Sequence, residues 1–329
     1  MSINNNVNFA IPPQFDSVLG FCEGLALVKV FDKWGYINKS SQFMIEPQFD
    51  YLALAPTFSE GRAWVVVESK VGYFDTNGQV IIEPKFDNAG DFSEGLAPVI
   101  IDNRSGYIDK SGQIVVELEN NCVGGYFSEG LADVVCVSEA NSPKWTYIDK
   151  TAQVVIELEV DWAGEFHEEL ALIDIGKENA LSGYIDKTGQ VVIQPQFYRS
   201  RPRSFKEGLA LVNIDDKYGY IDKSGQLIIQ PQFDDAGNFS QGLAYVKIDD
   251  YYGYINKSGQ FTIQPQFDNA GDFSQDLAVF STLRSDNKYG YISKSGEVVI
   301  QPQFDYADQF QEGLAAVAIG DKCGYICHP

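Results

Sequence analysis

The stretch Gly219-Tyr220-Ile221-Asp222-Lys223-Ser224-Gly225-Gln226, continuing through Leu227-Ile228-Ile229 to Pro231-Gln232-Phe233, decides how the chain is read. Its tyrosine recurs as Tyr36, Tyr73, Tyr107, Tyr147, Tyr184, Tyr220, Tyr254, Tyr291 and Tyr325, so the sequence is nine copies of one unit. Three landmarks fix the period: Phe of Pro-Gln-Phe, Ala of Glu-Gly-Leu-Ala and Tyr of Gly-Tyr-Ile. From Phe233 the steps are 11 to Ala244, 10 to Tyr254 and 13 to Phe267, which makes a unit of about 34 residues.

Every part of the unit reads as β. Val191-Val192-Ile193 is short and β-branched, and Pro195, which lacks an N–H for the ladder, is expected to end that strand. Leu243–Ile248 makes a second strand and Tyr252-Gly253-Tyr254-Ile255 a third, joined by a tight hairpin at Asp249-Asp250-Tyr251. Asp222 to Gln226 suits a type I turn closed by a left-handed residue. Gly78, Gly112, Gly189, Gly225, Gly259 and Gly296 take that place, while Ser41 and Ala152 replace it, Ala152 with the most strain. The tyrosine and the residue before the glycine (Trp34, Tyr218, Tyr252, Tyr289) lie two apart on one face of their strand, expected to pack between units. Ile37, Ile221 and Ile255 lie on the other. No stretch keeps a helical period.

The expected fold is therefore all-β: one repeat domain over 1–329, an array of nine three-stranded antiparallel units at about 7–37, 42–74, 79–108, 113–148, 153–185, 190–221, 226–255, 260–292 and 297–326. An open, twisted β-hairpin solenoid is expected, with a closed β-propeller as the alternative. The unit is short against the roughly 40–45 residues of a four-stranded blade. In addition, Val7-Asn8-Phe9-Ala10-Ile11 supplies a first strand to unit one and Tyr325-Ile326 a last strand to unit nine, so no unit looks split between the termini.

Composition narrows function by exclusion. With 329 residues, 44% hydrophobic and 21% charged, the chain is an ordinary folded protein. A net charge of −22 repels phosphate backbones and anionic lipid, which argues against nucleic-acid and membrane partners. No apolar run approaches the roughly 18 residues of a membrane span. The first six residues lack the features of a secretory signal, and Cys22, Cys122, Cys136, Cys323 and Cys327 are odd in number and follow no repeat position. Together these point to a reducing cytoplasm.

Candidate chemistry is sparse, and no cofactor is expected. The Asp87–Asp91 and Asp268–Asp272 loops carry oxygen ligands on a glycine turn, as calcium sites do, but they lack a bidentate glutamate and are good turn formers in any case. Glutamate recurs in Glu-Gly-Leu-Ala (Glu23, Glu60, Glu94, Glu129, Glu207, Glu312), with Gln241 and Gln275 in its place elsewhere. A glycoside hydrolase needs two carboxylates in different environments, whereas near-equivalent copies read as turn chemistry. His167 replaces a serine or cysteine of other units, and Cys323 to His328 has one residue too many for a haem-attachment motif.

Departures from the pattern carry more information than the pattern does. The Ala-to-Tyr step lengthens to 15 between Ala132 and Tyr147, and to 13 between Ala171 and Tyr184 and between Ala278 and Tyr291. These insertions fall in one and the same hairpin, near 138–143, 176–182 and 281–287. The Phe-to-Ala connection is apolar at Leu52 to Pro56 and basic at Arg199-Ser200-Arg201-Pro202-Arg203. The two units before those arginines lack Pro-Gln-Phe and carry Glu117, Glu119, Glu157, Glu159, Asp161 and Glu165. Candidate partner-binding residues are thus Arg199, Arg201, Arg203, Glu139, Asn141, Lys144, Lys177 and Arg284; for the arginines, local pairing with the acidic neighbours is the plainer reading.

Gly-Tyr-Ile-Asp-Lys-Ser-Gly-Gln, Ile-x-Pro-Gln-Phe-Asp and Phe-Ser-Glu-Gly-Leu-Ala, at fixed spacing over nearly the whole chain, closely resemble the bacterial WG-repeat (KWG-repeat) family. Lys33-Trp34-Gly35-Tyr36-Ile37 carries the namesake triplet. The resemblance implies a bacterial repeat module assumed to mediate interactions, and it transfers no catalytic residues. The functional expectation is a non-catalytic scaffold for another protein, with a carbohydrate-binding module built on repeated aromatics as the alternative and a glycoside hydrolase as a third reading.

Overall fold

In a computed structural model of the chain, the described residues are 7–49, 58–137, 143–176, 180–198, 203–282 and 287–329. They form nine small antiparallel sheets and are all-β, as expected. The blade at 235–267 shows the plan: a first strand of two residues, Asp235–Ala236, then Leu243–Ile248, Tyr251–Asn256 and an edge strand, Phe261–Phe267, in that spatial order. The remaining blades lie at 17–49, 62–86, 88–117, 122–158, 162–198, 209–233, 269–304 and 306–327, numbered here 1 to 9 in chain order with 235–267 as blade 7. In blades 2 and 6 the described residues form three strands. Two compact units contain these blades, one of residues 1–57 with 228–329 and one of 58–227.

The open solenoid of three-stranded units is incorrect: the sheets are blades of a nine-bladed β-propeller. The strand containing Pro-Gln-Phe does not begin a unit. It is the edge strand of the blade before it, paired through the Asp-Lys-Ser-Gly-Gln turn with the Gly-Tyr-Ile strand, as Tyr254↔Ile263 and Ile255↔Phe261 show. Phe9–Phe15 is therefore an edge strand without a blade at the N-terminus, and Lys322–Cys327 a strand without an edge partner at the C-terminus. They pair with each other, Phe9↔Ile326, Ile11↔Tyr325 and Phe15↔Cys323, so blade 9 is split between the termini after all. A fourth strand fits within 34 residues because it is only two residues long.

The proline is the second correction. Phe261–Phe267 runs through Pro265 instead of stopping at it. Between the pairs Tyr254↔Ile263 and Tyr252↔Phe267 the edge strand bulges, and the proline sits in that bulge, where no ladder bond is required of it. The bulge also explains the neighbouring glycine: a Cβ on Gly253 would lie 2.6 Å from the Ile263 carbonyl oxygen and 2.7 Å from Pro265 N.

The turn follows the sequence reading. Gly225 N–H donates to Asp222 O (2.9 Å), and the Asp222 carboxylate accepts from the N–H groups of Ser224 (2.9 Å) and Gln226 (3.0 Å). Ser41 and Ala152 take up the left-handed conformation at φ 62° and 66°.

Both faces of each sheet are buried. Tyr254 and Ile255, which point to opposite faces, are each fully buried, and the expected packing role of the tyrosines holds throughout. Tyr107 and Tyr184, for example, meet a phenylalanine of the following blade edge-on, Phe127 at 4.9 Å and Phe205 at 5.0 Å. The hydroxyl donates to a backbone carbonyl of that blade: Tyr73 to Gly90, Tyr107 to Gly125, Tyr254 to Gly271, and Tyr325 to Leu19 across the junction of the termini. Burial pushes these phenols well above their ordinary range.

Denaturant unfolding separates the two backbone constraints. Gly253→Ala drives a Cβ into the bulge and lowers stability by about 1–3 kcal/mol. Ala152→Gly releases a left-handed alanine and raises stability by about 1 kcal/mol.

Candidate functional site

Most of the repeated polar side chains are used to fasten one blade to the next. Glu-Gly sits at the centre of a two-residue hairpin turn, closed by the paired bonds Ser93 N–H to Leu96 O and Leu96 N–H to Ser93 O. Glu94 and Gly95 there have φ 52° and 90°. A left-handed glutamate costs backbone energy, and its side chain offsets that cost by reaching the next blade. Glu94 accepts from Gly130 N–H (3.1 Å) and pairs with Lys150 (3.0 Å). Glu60 does the same with Gly95 and Lys110, and Glu312 with Gly24 and Lys39. Gln241 and Gln275 keep the hydrogen bond without the charge.

The neighbouring serine donates to a phenylalanine carbonyl of the next blade, as Ser93 does to Phe127. The aspartate after the edge-strand phenylalanine is a third fastener: Asp87 accepts from Asp102 N–H (2.8 Å) and pairs with Lys70 (2.5 Å). Lys70 and Asp102 together hold its carboxyl below the usual range. Of the carboxylates considered for calcium or for acid–base work, Asp87, Glu60, Glu94 and Glu312 therefore have structural partners. Among the described residues, no group of three or more His, Cys, Asp or Glu is placed to hold a metal ion.

Blades 3 and 4 depart from this plan. Where other edge strands read Pro-Gln-Phe, or Pro-Lys-Phe in blade 2, these read Leu118-Glu119-Asn120 and Leu158-Glu159-Val160. The bulge is absent: Glu117 pairs with Gly106, and Leu118 N–H donates to Ser105 O (3.0 Å). In blade 4, Trp145↔Leu158, Thr146↔Glu157 and Tyr147↔Ile156 run in unbroken register. In blade 4 buried Thr146 stands in the place of the glycine, whereas blade 3 keeps Gly106, where a Cβ would run into the Val116 carbonyl oxygen. The space normally occupied by the bulge is open in both blades. A groove of about 1030 Å³ lies over Gly106, lined by Asp102, Arg104, Glu117 and Glu119, and a second of about 790 Å³ lies beside Lys144, Glu157 and Asp161.

The candidate residues are divided between described and undescribed segments. Arg199, Arg201, Glu139, Asn141, Lys177 and Arg284, together with the apolar Leu52 to Pro56, lie outside the described residues. Lys144 is exposed, pairs with Glu157 (3.1 Å) and lines the second groove. Arg203 takes the position of a first-strand glycine, with its carbonyl accepting from Tyr184 Oη (2.8 Å) and its side chain exposed. The three insertions do extend the same hairpin, whose pairing runs out to Val137↔Pro143, Ile175↔Leu181 and Ser281↔Tyr289. The glycan platform fails, since Tyr36, Tyr220 and Tyr254 are buried. His167 is exposed, as expected of a surface substitution.

Sequence reasoning missed a disulfide, Cys122–Cys136, across the first two strands of blade 4. Among the described residues, Cys22, Cys323 and Cys327 take no part in a disulfide. It also missed Asp133. Burial raises that carboxyl to about 6, with the charge of Glu165 adding to the shift. Since the folded value lies above the unfolded one, the native state holds a proton between about pH 4 and 6 that the unfolded chain has lost. Stability from this group is full below that window and falls as pH rises through it. Asp133→Asn is expected to be more stable than the parent at pH 7, with the difference disappearing near pH 4, as read from urea midpoints across that range.

Comparison with known proteins agrees with this architecture. The profile described as WG containing repeat matches nine times, at 3–34, 34–70, 72–104, 106–136, 145–177, 183–218, 218–252, 252–282 and 289–323. Among curated proteins nothing matches. Among solved structures, one titled as the eukaryotic initiation factor aligns over 97% of this chain and 93% of its own, with 12% identity and a TM-score of 0.63. BamB from Moraxella catarrhalis aligns over 95% and 96% (10% identity, TM-score 0.44), and Hsv2p from Kluyveromyces lactis over 76% and 96% (9%, 0.46). At these identities the likeness to the first is one of fold alone, and the other two carry no further argument. Nine matched repeats spanning the chain place it in the family of WG-containing repeat proteins.

Proposed function

We propose that this protein is a non-catalytic scaffold that binds another protein, and that binding uses the places where the repeat pattern lapses. The observation that carries this reading is the engagement of the repeated groups. The tyrosine hydroxyls, the turn glutamates and the post-Phe aspartates are fasteners between blades, and the blade-to-blade sameness of these contacts leaves them little to offer a specific partner. The surface that differs from blade to blade is the edge of blades 3 and 4 and the extended hairpins. Repeat architectures present broad surfaces suited to protein partners. The reading assigns no bond-making step to any residue.

Immobilised full-length protein, exposed to lysate of its native cell, should retain a protein partner saturably and release it to excess free protein. Retention of none, across low and physiological salt, contradicts the scaffold reading.

A further inference from the structure

We propose that the edge strand Ile114–Glu117 of blade 3 takes an added β-strand from a partner, and that the incoming segment is basic. Seven of the nine edge strands carry a proline (Pro13, Pro47, Pro84, Pro195, Pro231, Pro265, Pro302). A proline and its bulge break the row of free N–H and C=O groups that another strand would need. Blades 3 and 4 alone lack this block, and their edge strands, Ile114–Glu117 and Val154–Leu158, are the only proline-free ones among the described residues.

Three observations favour blade 3 over blade 4. Its groove is the larger, about 1030 Å³ against about 790 Å³. In blade 4, Lys144 already neutralises Glu157 across the strands. In blade 3 the groove has three exposed carboxylates, Asp102, Glu117 and Glu119, against one cation, Arg104. Glu117 ends the edge strand and Glu119 follows two residues on, and both line the same groove. An incoming strand with lysine or arginine at alternate positions would place a cation opposite each, while its backbone extends the ladder. Exposed Ile114 and Val115 supply apolar contact along the same edge. This is strand addition with charge complementarity choosing the occupant.

The inference rests on the scaffold reading and can fail separately from it. The probe is a fluorescent octapeptide of alternating lysine and valine, titrated against the full chain by anisotropy. It should bind saturably and slow amide exchange at residues 114–117. An alternating glutamate–valine octapeptide should not bind. A lysine–valine octapeptide with a central proline should bind about tenfold more weakly, since it cannot continue the ladder. The double variant Glu117→Lys/Glu119→Lys should weaken the parent peptide by about tenfold or more. Asp250→Lys/Asp321→Lys, which makes the same change of charge elsewhere, should leave it unchanged.

No binding by the lysine–valine peptide overturns the proposal. Equal binding to the Glu117→Lys/Glu119→Lys chain overturns the site, and equal binding by the proline peptide reduces it to nonspecific charge attraction. If that variant still retains a lysate partner at full strength, the blade 3 edge is not its site and the scaffold reading stands.

Discussion

A sheet that is apolar on both faces has no stable existence alone, and every blade here is such a sheet. Tyr254 is fully buried on one face of its strand and Ile255 on the other, so each blade needs a neighbour on both sides. An open array leaves its first and last units short of one neighbour. The pairing of Phe9–Phe15 with Lys322–Cys327 removes that shortfall: it gives the last blade its edge strand from the first residues of the chain, and Tyr325 then donates to Leu19 as its equivalents donate to their own next blade. Gly324 meets the Ile11 carbonyl at this junction just as Gly253 meets that of Ile263, so the covalent break lies where other blades have a turn.

The sequence made the local structure legible because local chemistry determines it. The 13-residue step from tyrosine to phenylalanine, the aspartate-capped turn and the hairpin that takes the insertions all follow from residues within a few positions of one another. The packing role of the tyrosines followed from their repetition. Closure was not visible in the same way. A solenoid and a propeller share one local period, and the choice between them rests on a pairing more than 300 residues apart. The deciding signal was nonetheless present: Phe9–Phe15, with its Pro13-Gln14-Phe15, has the form of the edge strands that elsewhere follow the Gly-Tyr-Ile strand. Assigning that strand to the blade after it, instead of the blade before it, hid the split. The proline was misread for a related reason. A rule about ladder bonds does not apply inside a bulge, and a bulge is defined by register, which one strand alone does not reveal.

The interaction surface was half legible. Loss of Pro-Gln-Phe in two successive units stood out, as did the glutamates around that position. What the sequence could not supply was the link between that proline and the glycine on the adjacent strand. Once Pro265 is seen crossing Gly253, the groove over Gly106 becomes a result of the missing bulge. The arginine loop was noticed for its charge against an acidic background. The structure places Arg203 in the backbone role of a first-strand glycine, and the acidic edges of blades 3 and 4 are the better-defined surface.

The central claim is that the two ends of the chain form one sheet, and a cysteine pair tests it most directly. A chain with Phe9→Cys and Ile326→Cys, and with Cys22, Cys323 and Cys327 replaced by serine, puts one new thiol opposite the other in the register found here. Mild oxidation of the folded protein should give a monomer with an internal disulfide between the two ends, identified by peptide mapping. Oxidation only to disulfide-linked dimers, or no reaction between these two thiols, would contradict the closure.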